Sequence, residues 1–291
     1  GTAAYAAQIG QMLIEKMGRI PAVTHISSEF RNNDTVINPK AIYLAVSQSG
    51  ETADTISAIK EIKLKGGQVF GVVNVVGSTI ARLCGKGVYI HSGPEQSVAS
   101  TKAFTNMVAA LTIFATQLGR TRHLSKDEGR ELMQALQQTP HLMETYLEDI
   151  GPIDEAVNLL CEANSVLFLG RGLSATVAKE GALKLMELAY IPCLAYPAGE
   201  MKHGPIALLE EGSPVVVIAP NDHLKEKTMS ALHEVKARGA KVILIHEQGD
   251  AIASEGDVSI AVPAVHPLLS PLLTVLPLQL MAYYTALRMG R

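Results

Sequence analysis

Four short segments of this 291-residue chain collect side chains able to hold an anion or move a proton. In the first, Ser47, Gln48, Ser49, Gly50 and Thr52 put hydroxyls, an amide and a flexible backbone just ahead of the helical pattern ISAIKEIKLK. Free N–H groups and the helix dipole favour an anion at such a start, and Ser and Thr add donors, so the segment suits a phosphate. Plain helix capping competes with this explanation, but one hydroxyl would serve a cap and three stand within six residues. The second segment, SVASTKAFTN (Ser97–Asn106), precedes a long uncharged run. Its Ser100 and Thr101 either cap that helix or join the first segment, if the fold brings the two together. In the third, KEGALKLMELAY (Lys179–Tyr190), Lys184 and Glu187 lie three apart and share a helix face. A solvated pair is the usual outcome of that spacing. Here the flanking Ala182, Leu183, Leu185, Met186, Leu188 and Ala189 are apolar, and a partly buried carboxylate suits moving protons to and from carbon. The fourth places His203 in Lys-His-Gly-Pro, a turn-rich loop downstream of that helix. A lone loop histidine is more often a bystander.

The elements that must position these side chains come in two copies. Gly1–Ala22 lies over Gly172–Cys193, which superposes the two Ile-Pro pairs and puts Glu29 on Glu200; further on, Glu61–Val72 lies over Glu234–Ile245. Two matches in the same order argue for a duplicated domain. The runs Ala41–Val46, Gln68–Asn74, Ser165–Gly170, Val215–Ala219 and Lys241–Glu247 are continuously apolar rather than alternating, as expected of strands covered on both faces. Strand–helix–strand order predicts parallel sheets with right-handed crossovers, and ligands on such sheets bind beyond the carboxyl ends of the strands. Between the copies, roughly Ala103 to Leu160, the pattern is mainly helical, punctuated by Pro140 and Gly151-Pro152.

Composition narrows the function classes. Hydrophobic residues make up 47% and charged residues 18%, which excludes disorder and coiled coil. Lys plus Arg number 25 against 28 Asp plus Glu, net −3, so neither nucleic acid nor an anionic membrane is an expected partner. Cys84, Cys161 and Cys193 form no C-x-x-C pair and read as reduced thiols of a cytoplasmic protein. The uncharged stretches Ala103–Gly119 and Pro267–Leu287 carry polar residues or prolines and are predicted to be buried helices of a soluble protein. With neither Met nor a basic-then-apolar leader at Gly1, no signal peptide is expected.

SQSGETADT, SVASTKAFT, EGALKLMELAYIP and GEMKHGPIALLE, in this order, resemble the sugar isomerase (SIS) domains of the glucosamine-6-phosphate synthase family, the isomerizing glutamine–fructose-6-phosphate aminotransferases. The similarity runs over essentially the whole chain. It implies an α/β fold of two tandem SIS domains, residues 1–145 and 146–291, each a doubly wound, flavodoxin-like parallel sheet between helices. It also implies an enzyme that joins ammonia, drawn from glutamine, to fructose 6-phosphate and releases glucosamine 6-phosphate. By residue-by-residue match, Ser47, Gln48, Ser49 and Thr52 would bind the phosphate with Thr2, while Val98, Ala99 and Ser100 would hold the sugar hydroxyls. Glu187 would shuttle the proton between C1 and C2 with Lys184 assisting, and His203, donated by a neighbouring subunit, would open the sugar ring. No metal or organic cofactor is implied. The implied partners are the sugar phosphate, a second copy of the chain in a homodimer or higher homo-oligomer, and a glutamine amidotransferase domain upstream of Gly1.

Three departures stand out. Ala3 occupies a position where relatives carry Ser, and neither the glutamine-hydrolysing domain nor the tail with the Schiff-base lysine lies within these residues. An apolar strand is accordingly expected immediately before Gly1, matching Ser165–Gly170 before Gly172, and a short tail beyond Arg291. A stand-alone phosphosugar isomerase, a glucosamine-6-phosphate deaminase and a sugar-phosphate-sensing module remain the alternatives. GETADT and KHGP argue against the deaminase, and the presence of both Glu187 and His203 argues against the sensor.

Overall fold

The computed structural model describes all 291 residues, which divide into two compact units, Gly1–Gly129 and Arg130–Arg291. In the first, α1 (Thr2–Leu13) widens into a short π-helical turn and is followed by α2 (Ser27–Asn32), β1 (Ile42–Ser47), α3 (Ala53–Leu64), β2 (Gln68–Val73), α4 (Thr79–Cys84), β3 (Gly87–Tyr89) and α5 (Lys102–Arg120). The junction falls within α6 (Lys126–Glu148). The second unit continues with α7 (Ile153–Cys161), β4 (Val166–Gly170), α8 (Leu173–Ala189), β5 (Cys193–Pro197), β6 (Pro214–Ile218), α9 (Lys225–Lys236), β7 (Lys241–Glu247), β8 (Val258–Val262) and α10 (Ser270–Arg288).

Both sheets are wholly parallel, in the orders β1-β2-β3 and β5-β4-β6-β7-β8. The register repeats across the copies: Ile42 pairs with Gln68 at the start of β1, as Pro214 pairs with Lys241 at the start of β6. Helices pack on the strands in each unit, so backbone groups are satisfied by neighbouring strands while apolar side chains leave water on both faces. β4 and β6, interior to their sheet, are buried at every residue, as continuous apolar runs require. β1 lies at a sheet edge and is only partly covered, with Ile42 exposed. The tandem α/β architecture expected from the sequence is thus present.

The duplication also appears in the packing. In the first unit a Cβ on Gly10 of α1 would come within 2.8 Å of Leu111 on α5; in the second, a Cβ on Gly181 of α8 would come within 2.6 Å of Leu278 on α10. Each copy therefore uses a glycine to bring its long apolar helix close to the helix that the duplication matches, α1 in the first copy and α8 in the second.

Pro140, expected to punctuate the linking helices, lies inside α6 and does not end it, and Pro277 lies inside α10, the buried helix expected around it. A helix-interior proline loses one hydrogen bond and strains one turn, a local cost. In α10, burial of the surrounding Leu272, Leu273, Leu276, Leu278 and Met281 outweighs it. The segment Pro267–Arg288 is long and apolar enough to cross a membrane, but 72% of its most apolar stretch is buried inside the protein, as a core helix would be.

Candidate active site

The carboxyl end of β1 turns through Gln48–Thr52 into α3. Ser47, 3% exposed, accepts the Gly50 N–H on its Oγ at 3.0 Å, and Ser49 Oγ accepts the Glu51 N–H at 3.2 Å. Both hydroxyls act as acceptors here, so both keep a proton to donate. Thr52, the residue before α3, makes no side-chain cap bond, and the first N–H groups of α3 have no partner within the helix. Capping therefore does not account for the three hydroxyls. The loop presents uncommitted O–H and N–H donors at the positive end of a twelve-residue helix, an arrangement with the chemistry to hold an anion.

The second polar segment meets the first only indirectly, through Glu95, and none of Ser97–Asn106 lines the hollow that Gln48 borders. Gln48 and Glu95 both line a cavity of about 520 Å³ in the first unit. Glu95, which the sequence reading did not single out, organises the loop before α5. Its carboxylate accepts from the N–H groups of Ala103 (2.8 Å) and Thr101 (3.0 Å) and from Ser100 Oγ (3.3 Å). The cap of α5 is this acidic side chain from outside the helix, not Thr101. Ala99 is buried, while Val98 is 91% exposed at the tip of the loop. Thr2 opens α1, which packs against α5 and touches β1.

In the second unit α8 carries a buried ionic group. Lys184 is 1% exposed; its Nζ lies 2.6 Å from Glu187 Oε2 and 3.5 Å from Glu180 Oε1. Glu180 is fully buried, whereas the Glu187 side chain keeps 30% exposure. The pair is not a solvated surface pair. A buried ammonium spans two carboxylates, of which only Glu187 reaches outward. Glu180 escaped the sequence reading, although its spacing of four from Lys184 and seven from Glu187 puts all three on one face.

His203 closes a 3-10 turn, Ala198–His203, and is exposed. With Tyr196 and Glu200 it lines a separate cavity of about 450 Å³, to which neither Lys184 nor Glu187 contributes. The nearness of His203 to α8 in sequence does not become a shared cavity in the fold.

In the second copy, the loop between β6 and α9 offers Pro220, Asn221, Asp222, His223 and Leu224, with no hydroxyl and one carboxylate. Lys225 is engaged by Asp250 at 2.5 Å. Glu247, at the end of β7, has a buried oxygen without a hydrogen-bond partner. Burial pushes its carboxyl up, against a smaller lowering by the Asn221 N–H. The β6–α9 loop lacks the hydroxyls that Ser47–Thr52 gathers in the first copy. A raised carboxyl is protonated more readily folded than unfolded, so stability falls as pH rises past the ordinary carboxylate value. Glu247→Gln should therefore stabilise the protein at pH 7, and the gain should vanish near pH 4. Urea unfolding of both proteins at the two pH values tests this, and a gain of equal size at both would contradict it.

The SIS-domain family model matches residues 1–117 and 159–289, one match in each copy. The chain belongs to the SIS domain family. It is 47% identical, over all of its length, to glutamine–fructose-6-phosphate aminotransferase [isomerizing] of Thermus thermophilus, and it spans 48% of that relative. The chain thus covers about half the length of the curated relatives it matches. Among solved structures, the C-terminal domain of glucosamine-fructose-6-phosphate aminotransferase from Francisella tularensis matches with a TM-score of 0.95 at 35% identity, covering 100% of this chain and 82% of that one. A glucosamine-6-phosphate deaminase from Thermotoga maritima matches with a TM-score of 0.80 at 20% identity, covering 100% of this SIS chain and 84% of that one, which shows a shared fold alone.

Proposed function

We propose that this chain is the sugar-isomerase half of an isomerizing glutamine–fructose-6-phosphate aminotransferase, and that it converts fructose 6-phosphate and ammonia to glucosamine 6-phosphate and water. The observation that carries this reading is the Ser47–Thr52 loop, whose hydroxyl protons remain free at the start of α3. Ser47, Gln48, Ser49 and Thr52, with Thr2, bind the phosphate, which supplies binding energy remote from the reacting carbons. Val98, Ala99 and Ser100 hold the sugar hydroxyls, with Ser100 oriented by Glu95. Ammonia condenses at C2 and expels water; Glu187 then takes a proton from C1 and returns it to C2 through an enamine-like state. Lys184, held between two carboxylates, orients Glu187 and balances its charge. His203 opens the sugar ring from a neighbouring subunit, which calls for a homodimer at least. An amidotransferase domain in the other half of the protein supplies the ammonia, and neither metal nor organic cofactor takes part. We assign residues 1–145 and 146–291 to the two SIS domains and the cytoplasm as the compartment.

Titration calorimetry tests the phosphate assignment. Ser49→Ala should weaken fructose 6-phosphate by roughly tenfold or more, the scale of a hydrogen bond to a charged group, and leave unphosphorylated fructose nearly unchanged. Equal losses for both sugars would sink the assignment.

A further inference from the structure

A carboxylate is out of place in a loop that holds a phosphate, because like charges repel. Glu51 stands in the middle of that loop, between Ser49 and Thr52. Its side chain points elsewhere: Oε1 accepts the backbone N–H of Thr79 at 2.8 Å. That bond, a second from the Thr79 hydroxyl and, more weakly, the Arg82 guanidinium hold the carboxyl below its ordinary range. Two further contacts join the same stretches of chain. The Ile80 N–H donates to the Gly50 carbonyl at 2.9 Å, and Gly50, at φ +68°, lies so close to Ser78 that any Cβ there would overlap it. Ser78, Thr79 and Ile80 thus hold Gly50 and Glu51 at three consecutive points. The N–H groups of Gly50 and Glu51 are meanwhile consumed by Ser47 and Ser49, which turns those hydroxyl protons outward.

Resting on the phosphate reading above, we propose that Glu51 is a positioning residue, tying the loop to Thr79 so that the Ser47, Ser49 and Thr52 donors converge on the phosphate. Charge alone and positioning predict opposite signs. If Glu51 merely stood near the phosphate, its removal would tighten binding; as a tie, its removal loosens the loop and weakens it. Thr79→Pro offers a second cut from the other side. Position 79 is the first residue of α4, where proline is tolerated, and Ser78 at φ −61°, ψ 162° already has the backbone a residue before proline adopts. The substitution removes the N–H that Glu51 engages.

The experiment is calorimetry of fructose 6-phosphate and fructose on the intact protein. Glu51→Ala and Thr79→Pro should each weaken fructose 6-phosphate about tenfold without changing fructose, and the double variant should be no worse than either alone. Glu51→Gln keeps an acceptor for Thr79 and should stay within about threefold of wild type, and Thr79→Ala, which loses only the hydroxyl's share of the tie, should lose less than Thr79→Pro. Unchanged or tighter binding in Glu51→Ala, equal losses for the two sugars, or additive losses in the double variant would overturn the role of Glu51. A wild-type protein that prefers fructose 6-phosphate no more than fructose would instead overturn the phosphate site itself.

Discussion

Glu187→Gln is expected to lower C1–C2 proton exchange on fructose 6-phosphate by roughly 10²–10⁴-fold while binding changes little. That range is the ordinary yield of a positioned general base. Glutamine keeps the size of the side chain and an oxygen for the 2.6 Å bond from Lys184, but it cannot accept a proton from carbon. The substitution should also leave the fold intact, because Lys184 retains Glu180 as a counter-charge. An interaction needed in the transition state and not in the ground state lowers turnover and leaves affinity in place. Deuterium incorporation from solvent, followed by NMR beside calorimetry of the same variant, separates the two quantities. Exchange at the wild-type rate would remove Glu187 from the mechanism.

Lys184→Met should produce the largest loss of stability. The side chains are similar in volume, so packing changes little, but the variant leaves the fully buried Glu180 facing Glu187 with the ammonium gone. Breaking a buried ion pair by removing one partner costs about 3–5 kcal/mol, whereas replacing the whole group with neutral side chains can be close to neutral. Lys184→Met combined with Glu180→Gln and Glu187→Gln should therefore regain much of the lost stability and none of the proton exchange. Denaturant unfolding of the single and triple variants checks this. Equal destabilisation in both would show that Lys184 matters through packing and not through charge.

The fold was legible where the sequence carried length and pattern. β1, β2, β4, β6 and β7 stand out as apolar runs, and the duplicated helix starts betray the tandem arrangement. β3 was illegible because it is three exposed residues beginning at a glycine, and β5 because it is five residues preceded by Pro192 and ending in Pro197. β8 alternates buried and half-buried positions, unlike the continuous runs used to find the others. In the site, hydroxyls gathered before a helix and a charged pair three residues apart were readable as chemistry. Glu95 was not, because it caps α5 from a Gly-Pro loop seven residues upstream of Lys102, where no helical spacing links them. Nor was Glu51: a sequence shows a carboxylate in a phosphate loop but not that it turns toward Thr79.

The central claim is that this chain holds a sugar by its phosphate and moves a proton between its carbons. The most direct measurement is hydrogen exchange at C1 of fructose 6-phosphate in deuterium oxide containing ammonia, with the intact wild-type protein and fructose as control. The account predicts deuterium incorporation into fructose 6-phosphate, dependent on Glu187, and none into fructose. Tight binding of fructose 6-phosphate without any exchange would contradict it and would leave a sugar-phosphate sensor in its place.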